Sequence, residues 1–318
     1  NHITGKDWEA LSDEEALSVM HKIKIMSRAR PMDKERLVRL LQSDGEVVAV
    51  TGDGTNDAPA LKAAQVGLSM GDGTTVAKEA SDITILDNSF NSIARAVMWG
   101  RSLYQNIQRF LLFQLTVNVT ACCIVLVGAL VGKDSPLTVT QMLWINLIMD
   151  TLGGLAFAGE APLASYMEEK PKRREEPILN RYIIGEIAWL GCFTVALCLL
   201  FLKLPAITGR FRPATDNIYL LTAFFALFIF ASVFNCFNAR SERLRPCVGL
   251  LQNRGFMIIM VVILAVQLAF VYLGGSVLRT MPLTARELLL TALLALTVIP
   301  AEKLRKLGRR LLGKTGKY

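Results

Sequence analysis

Six stretches between positions 110 and 301 are apolar over about twenty residues each, the length that crosses a bilayer as a helix. They lie near 110–132, 139–159, 183–204, 217–236, 256–274 and 283–301. Residues 1–105, by contrast, carry ordinary amounts of charge. An overall hydrophobic content of 52% is too high for an average soluble domain, and 318 residues suit roughly two domains. The expectation is a soluble domain over 1–105, a membrane domain over 106–302 and a basic tail over 303–318. The net charge of +8 is not read as a nucleic-acid signal. Lys and Arg cluster beside the apolar spans, at 168–181, 240–254 and 303–317, where the positive-inside rule expects them, and no nucleic-acid module stands out. The loops at 133–138 and 275–282 are poor in Lys and Arg; 203–216 is the weaker case. Six spans bring both ends to one side, so the soluble domain and the C-terminus are expected in the cytoplasm. The aromatic residues Tyr104, Trp144, Tyr182, Tyr219 and Tyr272 partly fit an interfacial belt.

The soluble part reads as alternating short strands and helices, which favours a parallel α/β sheet. Residues 12–22 open as a capped helix with acids in its first turn. A short strand is expected at Ile23–Ile25, and a helix at Pro31–Gln42 with Leu37, Leu40 and Leu41 on one face. Strands follow at 46–50, 66–70 and 83–86, with helices at about 58–64 and 76–80 between them. From Ser89 the pattern stays helical into the first apolar span, so one helix should run from the soluble domain into the bilayer.

The run Glu46-Val-Val-Ala-Val50 ends in Thr51-Gly-Asp-Gly-Thr-Asn-Asp-Ala-Pro59. A strand that ends so delivers Asp53 and Asp57 to one pocket. Hard divalent cations such as Mg2+ take oxygen ligands of this kind, and Gly52 and Gly54 permit tight geometry and close approach to a phosphate. A helix cap and a solvated carboxylate would give the same letters. Such a site joined to apolar helices points to phosphate chemistry coupled to transport.

Within the spans, ionisable and amide groups are functional candidates. Asp150 lies in Gln141-Met-Leu-Trp-Ile-Asn-Leu-Ile-Met-Asp-Thr151, with Asn146 four residues earlier on one helix face and Gly153-Gly154 following, a pair that would permit local unwinding. Asn118 lies in Gln114-Leu-Thr-Val-Asn-Val119 on the preceding span. Two amides and one carboxylate suit a hard cation such as Ca2+; polar pairs that glue helices together are the alternative. Glu160 and Glu186 near span ends read as solvated carboxylates, Gln267 as helix packing, and His2 and His21 as surface residues. Five cysteines, Cys122, Cys123, Cys192, Cys198 and Cys236, fall in apolar segments without a C-x-x-C pair and read as buried small apolar side chains.

The run Thr51–Ala64, followed by Val66-Gly-Leu-Ser-Met-Gly71 and Val76-Ala-Lys-Glu-Ala-Ser-Asp-Ile-Thr-Ile-Leu86, resembles the phosphorylation domain of P-type ATPases, ion pumps of the haloacid-dehalogenase fold. The membrane motifs, with Phe234-Asn-Cys-Phe-Asn-Ala-Arg240, resemble plasma-membrane-type calcium pumps and their bacterial relatives. The resemblance covers essentially the whole chain. It implies a partial haloacid-dehalogenase-like domain, a Rossmannoid parallel sheet, joined to a six-helix transmembrane bundle. It further implies Asp53 as Mg2+ ligand, Asn56 and Asp57 as partners holding the phosphate site, Lys34 as the lysine that balances phosphate charge, and Thr51, Gly52 and Gly54 as the loop that shapes the site. Asn118, Asn146 and Asp150 would hold the transported Ca2+. Ala121 stands where two-ion calcium pumps carry an acid, and no acid lies between Ser232 and Asn238, which favours one ion per cycle.

The family's nucleophile, an aspartate in Asp-Lys-Thr-Gly-Thr, is not in this sequence, nor are its nucleotide-binding domain and four preceding membrane helices. The expectation is therefore the C-terminal part of a pump that uses ATP when intact, exports Ca2+ across the plasma (inner) membrane, and needs its missing N-terminal part and the lipid bilayer as partners. The chain alone is expected to be inactive. Pumps for H+, Na+/K+ or Mn2+, or a non-catalytic membrane partner of an intact pump, are the alternatives. Gly308-Arg-Arg-Leu-Leu-Gly-Lys-Thr315 satisfies a phosphate-loop pattern, but a membrane helix precedes it where a strand is needed, and a basic tail on anionic lipid is the expectation there.

Overall fold

The computed structural model describes residues 1–130, 135–172, 176–240 and 253–311. The chain divides into two compact units, Asn1–Gly100 with Met167–Glu176, and Arg101–Tyr166 with Pro177–Tyr318.

In the first unit, β1 (His2–Thr4), α1 (Gly5–Ala10), α2 (Asp13–Met20), β2 (Ile25–Ser27) and α3 (Pro31–Ser43) are followed by β3 (Ala49–Gly52), α4 (Ala58–Ala63), β4 (Val66–Met70), α5 (Thr75–Ala80) and β5 (Ile83–Ile85). All strand pairs are parallel: β1 with β2, and β3 and β5 on either side of β4. The central strand is the one whose middle residues are buried, as a strand covered on both faces must be. Ser12 caps α2 reciprocally with Glu15, the capping-box arrangement, and Pro31 opens α3. Leu37, Leu40 and Leu41 of α3 pack on Trp8, Ala16 and Met20.

Two strands start later than the sequence reading places them. The N–H groups of Lys22 and Ile23 still bond back to Val19 and Met20, so β2 begins only at Ile25. The Glu46 N–H goes to the Leu41 carbonyl and that of Val48 to the Gln65 side chain, so the β3 ladder opens at Ala49. β1 and α1 have no counterpart in the sequence reading.

In the second unit, α6 (Phe90–Leu130), which begins in the first unit, is followed by α7 (Val139–Trp144), one π-helical turn at Ile145–Met149, and α8 (Asp150–Ala158). Then come α9 (Arg181–Lys203), α10 (Pro205–Thr208), α11 (Ile218–Arg240), α12 (Arg254–Leu273), α13 (Gly275–Leu278), α14 (Ala285–Leu296) and α15 (Val298–Leu311). Among the described residues, four helical stretches are long and apolar enough to cross a membrane: Phe90–Gly128, Arg181–Lys203, Thr215–Arg240 and Arg254–Leu273. The other two expected spans are helical but interrupted, near 139–159 by the π turn and near 283–301 at Thr297.

α11 occupies the centre. Its apolar window is 83% buried, against 28–39% for the other three, the signature of a helix that is hydrophobic all round and packed on every side. Phe224, Phe225, Phe228, Ile229 and Val233 fill this core. Trp144 is also interior, edge-on to Phe270 at 4.4 Å between centroids, so it does not join an interfacial belt. Cys198 and Cys236 are buried as expected, whereas Cys122 and Cys192 are exposed.

Glu160 and Glu186 are not solvated. Glu160 pairs with Arg240, both side chains nearly buried. Glu186 faces Arg305 at 2.6 Å, and Arg305 also forks onto Glu302. Lys306 completes this buried group and donates to the Asn238 carbonyl at 3.0 Å. Two acids and two bases thus neutralise each other inside the protein, as buried charges must. The basic residues at 241–252, Arg173 and Arg174, and the end of the phosphate-loop look-alike at 312–315 lie outside the described residues.

Candidate functional site

Two constellations carry chemistry, one in each unit. In the first, β3 ends at Gly52 and the chain turns through Asp53 and Gly54 into a short 3-10 turn at Thr55–Asp57 that leads into α4. Asp57 folds this loop onto itself. One carboxylate oxygen accepts the backbone N–H groups of Gly54 at 3.2 Å and Asp53 at 3.3 Å. The other accepts the Lys34 ammonium at 2.6 Å. Lys34 comes from the first turn of α3, which Pro31 starts, so two elements far apart in sequence meet at one carboxylate. Burial pushes the Asp57 pKa up, but the Lys34 ammonium and the Gly54 and Asp53 N–H groups pull harder, and the carboxyl titrates below the usual aspartate value.

Asp53, Thr51 and Asn56 are exposed, while Gly52, Gly54 and Asp57 are half-buried. Among the described residues Asp53 is held through its backbone: its carbonyl accepts the Thr74 N–H at 2.8 Å. Thr74 follows Gly73, where an added Cβ would come within 3.0 Å of the Asp53 carbonyl oxygen. The second glycine turn, Gly71-Asp-Gly-Thr-Thr75, therefore braces the first. Sequence reasoning assigned it no site role, although its glycine-acid composition after a strand was the available signal. The result is an exposed Asp53 carboxylate with no side-chain partner among the described residues, on a loop whose Asp57 holds Lys34, groups whose chemistry suits a hard divalent cation and a phosphoryl oxygen.

In the second unit, Asn118 on α6 and Asp150 at the start of α8 are half-buried. Each keeps one buried side-chain oxygen, Asn118 Oδ1 and Asp150 Oδ1, without a hydrogen-bond partner among the described residues. The other Asp150 oxygen accepts Gln114 Nε2 at 3.3 Å. Gln114 sits one helical turn before Asn118, a spacing that was legible in the sequence although only Asn118 was singled out. Asn146 belongs to the π turn and is exposed, so the structure does not bring it into the same buried setting. π turns recur at functional sites, and this one displaces the backbone directly ahead of Asp150.

The glycines after Asp150 have another role than unwinding. They lie within regular α8. A Cβ on Gly153 would come within 2.7 Å of Phe113, and one on Gly154 within 3.2 Å of Phe110. Their missing side chains let α8 approach α6 closely. Among the described residues no three His, Cys, Asp or Glu side chains cluster at metal-binding distances, so a cation at Asp150 would depend on amide and backbone oxygens. Gln267 is fully buried, and neither end of its amide meets a partner among the described residues.

Comparisons with known proteins bear on both constellations. The pattern of the family described as "Cation transporting ATPase, C-terminus" matches residues 134–308, and that of "haloacid dehalogenase-like hydrolase" matches 33–97. "Calcium-transporting ATPase 7, plasma membrane-type" of Oryza sativa subsp. japonica is 45% identical over 273 residues, 85% of this chain and 26% of its own length. "Calcium-transporting ATPase 10, plasma membrane-type" of Arabidopsis thaliana is 43% identical over 285 residues, 87% and 26% of the two chains. "Plasma membrane calcium-transporting ATPase mca-1" of Caenorhabditis elegans is 39% identical over 328 residues, 95% and 26%. The chain spans about a quarter of the length of these relatives.

Proposed function

The chain belongs to the family of cation-transporting ATPase C-termini, and on that premise we propose that it is the C-terminal part of an ATP-driven pump that moves Ca2+ out of the cytoplasm. The observation that carries this reading is the pair of buried, unpartnered oxygens on adjacent helices, Asn118 Oδ1 and Asp150 Oδ1. An oxygen left dry and unbonded inside an apolar bundle costs free energy unless an ion or water completes it. A carboxylate and an amide oxygen form the start of a Ca2+ site. Asn146, exposed in this chain, joins that site in the proposal once oxygens from the remainder of the pump cover it. The names of the relatives support Ca2+ as the cargo.

The first unit would supply part of the phosphorylation site. Asp53 would hold Mg2+, which when bound offsets negative charge on a transferring phosphoryl group. Lys34 would supply a positive charge at the same place. Asp57 would hold Lys34 and the Gly52–Gly54 loop in register, and Asn56 and Thr51 would bond to phosphoryl oxygens from the exposed rim. The nucleophilic aspartate is not among these 318 residues, so the chain by itself is expected to take no phosphoryl group from ATP. Six spans, with the first unit and the C-terminus cytoplasmic, agree with the distribution of Lys and Arg.

The test is Asp150→Asn in the intact pump. The isosteric change removes the only carboxylate of the proposed cation site, and Ca2+-stimulated ATP hydrolysis should fall to its Ca2+-independent level. Undiminished stimulation would overturn the assignment.

A further inference from the structure

Apart from both constellations, a cavity of about 10 Å3 opens between α6, α9 and α11. A void of that size takes one water-sized particle. Its polar lining is Thr116 and Thr120 of α6, Thr194 of α9, and Ser232 and Asn235 of α11, and the rest is apolar. None of these five residues is more than 8% exposed.

The four hydroxyls have already given their hydrogens to their own helices. Thr116 donates to the Leu112 carbonyl and Thr120 to the Thr116 carbonyl, each at 2.7 Å. Thr194 donates to the Leu190 carbonyl and Ser232 to the Phe228 carbonyl, each at 2.8 Å. A hydroxyl has one hydrogen, so each of these oxygens is left with lone pairs alone. Asn235 Oδ1 is a fifth acceptor, buried and without a hydrogen-bond partner among the described residues. One back-bonded Ser or Thr is ordinary in an apolar helix. Four around one cavity, with a dry amide oxygen as the fifth, make a ring of hard oxygens that calls for a positive centre. No Asp or Glu lines the cavity, and that sets the charge of the occupant. Ca2+ affinity follows the number of charged ligands, and a divalent ion surrounded by neutral oxygens inside a protein would not recover its hydration. A water molecule has two hydrogens for five acceptors, whereas a monovalent cation draws on all five at once.

We propose that this cavity binds one alkali cation, Na+ or K+, stripped of its water and held by the hydroxyl oxygens of Thr116, Thr120, Thr194 and Ser232 and by Asn235 Oδ1. The site is distinct from the one at Asp150. Asn118 lies two residues from both Thr116 and Thr120, about 200° around α6, so the two sites occupy opposite faces of that helix. The alkali ion ties α6 to α9 and α11 and thereby steadies the helix that carries Asn118. The proposal does not depend on which ion the pump transports.

The test is thermal unfolding of the intact pump in detergent, in NaCl or KCl against N-methylglucamine chloride at constant ionic strength. A ligand that binds only the folded protein raises its melting temperature, so Na+ or K+ should give a saturable rise. Thr120→Val and Ser232→Ala each remove one ligand oxygen with little change of shape, and should raise the alkali concentration needed for half that rise several-fold. Their melting temperatures in N-methylglucamine chloride should stay near that of the unaltered pump. Crystals of the unaltered pump grown with Tl+, a heavy stand-in for K+, should show an anomalous peak between α6, α9 and α11, a readout that needs no variant to fold. Equal melting in all three salts, or crystals without Tl+ in the cavity, would overturn the proposal and leave a water molecule there. An alkali effect that both variants retain in full would also overturn it, by placing the ion elsewhere. If the alkali effect is missing while Ca2+-stimulated hydrolysis persists, this inference falls and the pump reading stands.

Discussion

Gly52 and Gly54 flank the same aspartate, yet the folded loop needs them unequally. Neither has a positive φ among the described glycines. At Gly52 an added Cβ would run into the Asp57 side chain, whereas at Gly54 the nearest atom would be 3.7 Å away, an ordinary contact. Gly54 is extended, at φ −105° and ψ 163°, a conformation any residue adopts. Gly52→Ala should therefore push Asp57 off Lys34 and off the Gly54 and Asp53 N–H groups, at a cost of about 1–3 kcal/mol. Gly54→Ala should be neutral or stabilise by up to about 1 kcal/mol through the unfolded state. Thermal unfolding of the purified protein separates the two: a clear drop in melting temperature for Gly52→Ala only. Equal melting temperatures would mean that Asp57 can relocate. The glycine-acid spacing marked the loop in the sequence. It did not say which glycine is obligatory, because the obstacle is a side chain five residues on that returns only when the 3-10 turn forms.

At the scale of the element, α8 shows how a polar residue can be singled out in the sequence while its local structure is not. Asp150 and Asn118 were legible as polar groups in apolar helices. The π turn at Ile145–Met149 was not, because an extra residue per turn leaves no periodic signature over five positions. Gly153 and Gly154 read as a flexible pair because composition is silent about Phe110 and Phe113, forty residues earlier on α6. The buried charge group on α9 and α15 escaped for the same reason: Glu186 acquires its Arg305 and Lys306 partners only through tertiary packing. If close packing is what Gly153 serves, Gly153→Ala should force Phe113 from its place and destabilise the bundle by about 1–3 kcal/mol. Phe113→Leu should then restore part of that loss in the double variant, since contacting residues are not additive. Melting in detergent tests this. A double variant no more stable than Gly153→Ala alone would return the glycine to a role in backbone flexibility.

For the whole molecule, the open quantity is the number of crossings, and it turns on the two interrupted segments. If only α6, α9, α11 and α12 cross, residues 135–138 and 161–180 share one side of the membrane, because nothing between them crosses. If Val139–Ala158 crosses as well, they face opposite sides. Both an added pair of crossings and none leave the two chain ends together, so labelling the termini decides nothing. Physical grounds favour crossing. Val139–Ala158 is twenty residues long, and a π turn keeps its backbone groups bonded internally, as a lipid environment requires. Ser135 and Lys170 are both exposed and flank the segment. In a background from which all six cysteines have been removed, Ser135→Cys should react with a membrane-impermeant maleimide from outside intact cells. Lys170→Cys, in the basic stretch, should react only after permeabilisation. Labelling of both positions from the same side would exclude a crossing at 139–158. Asp150 would then lie in a re-entrant segment open to one face, and its carboxylate could not belong to a pathway through the bilayer.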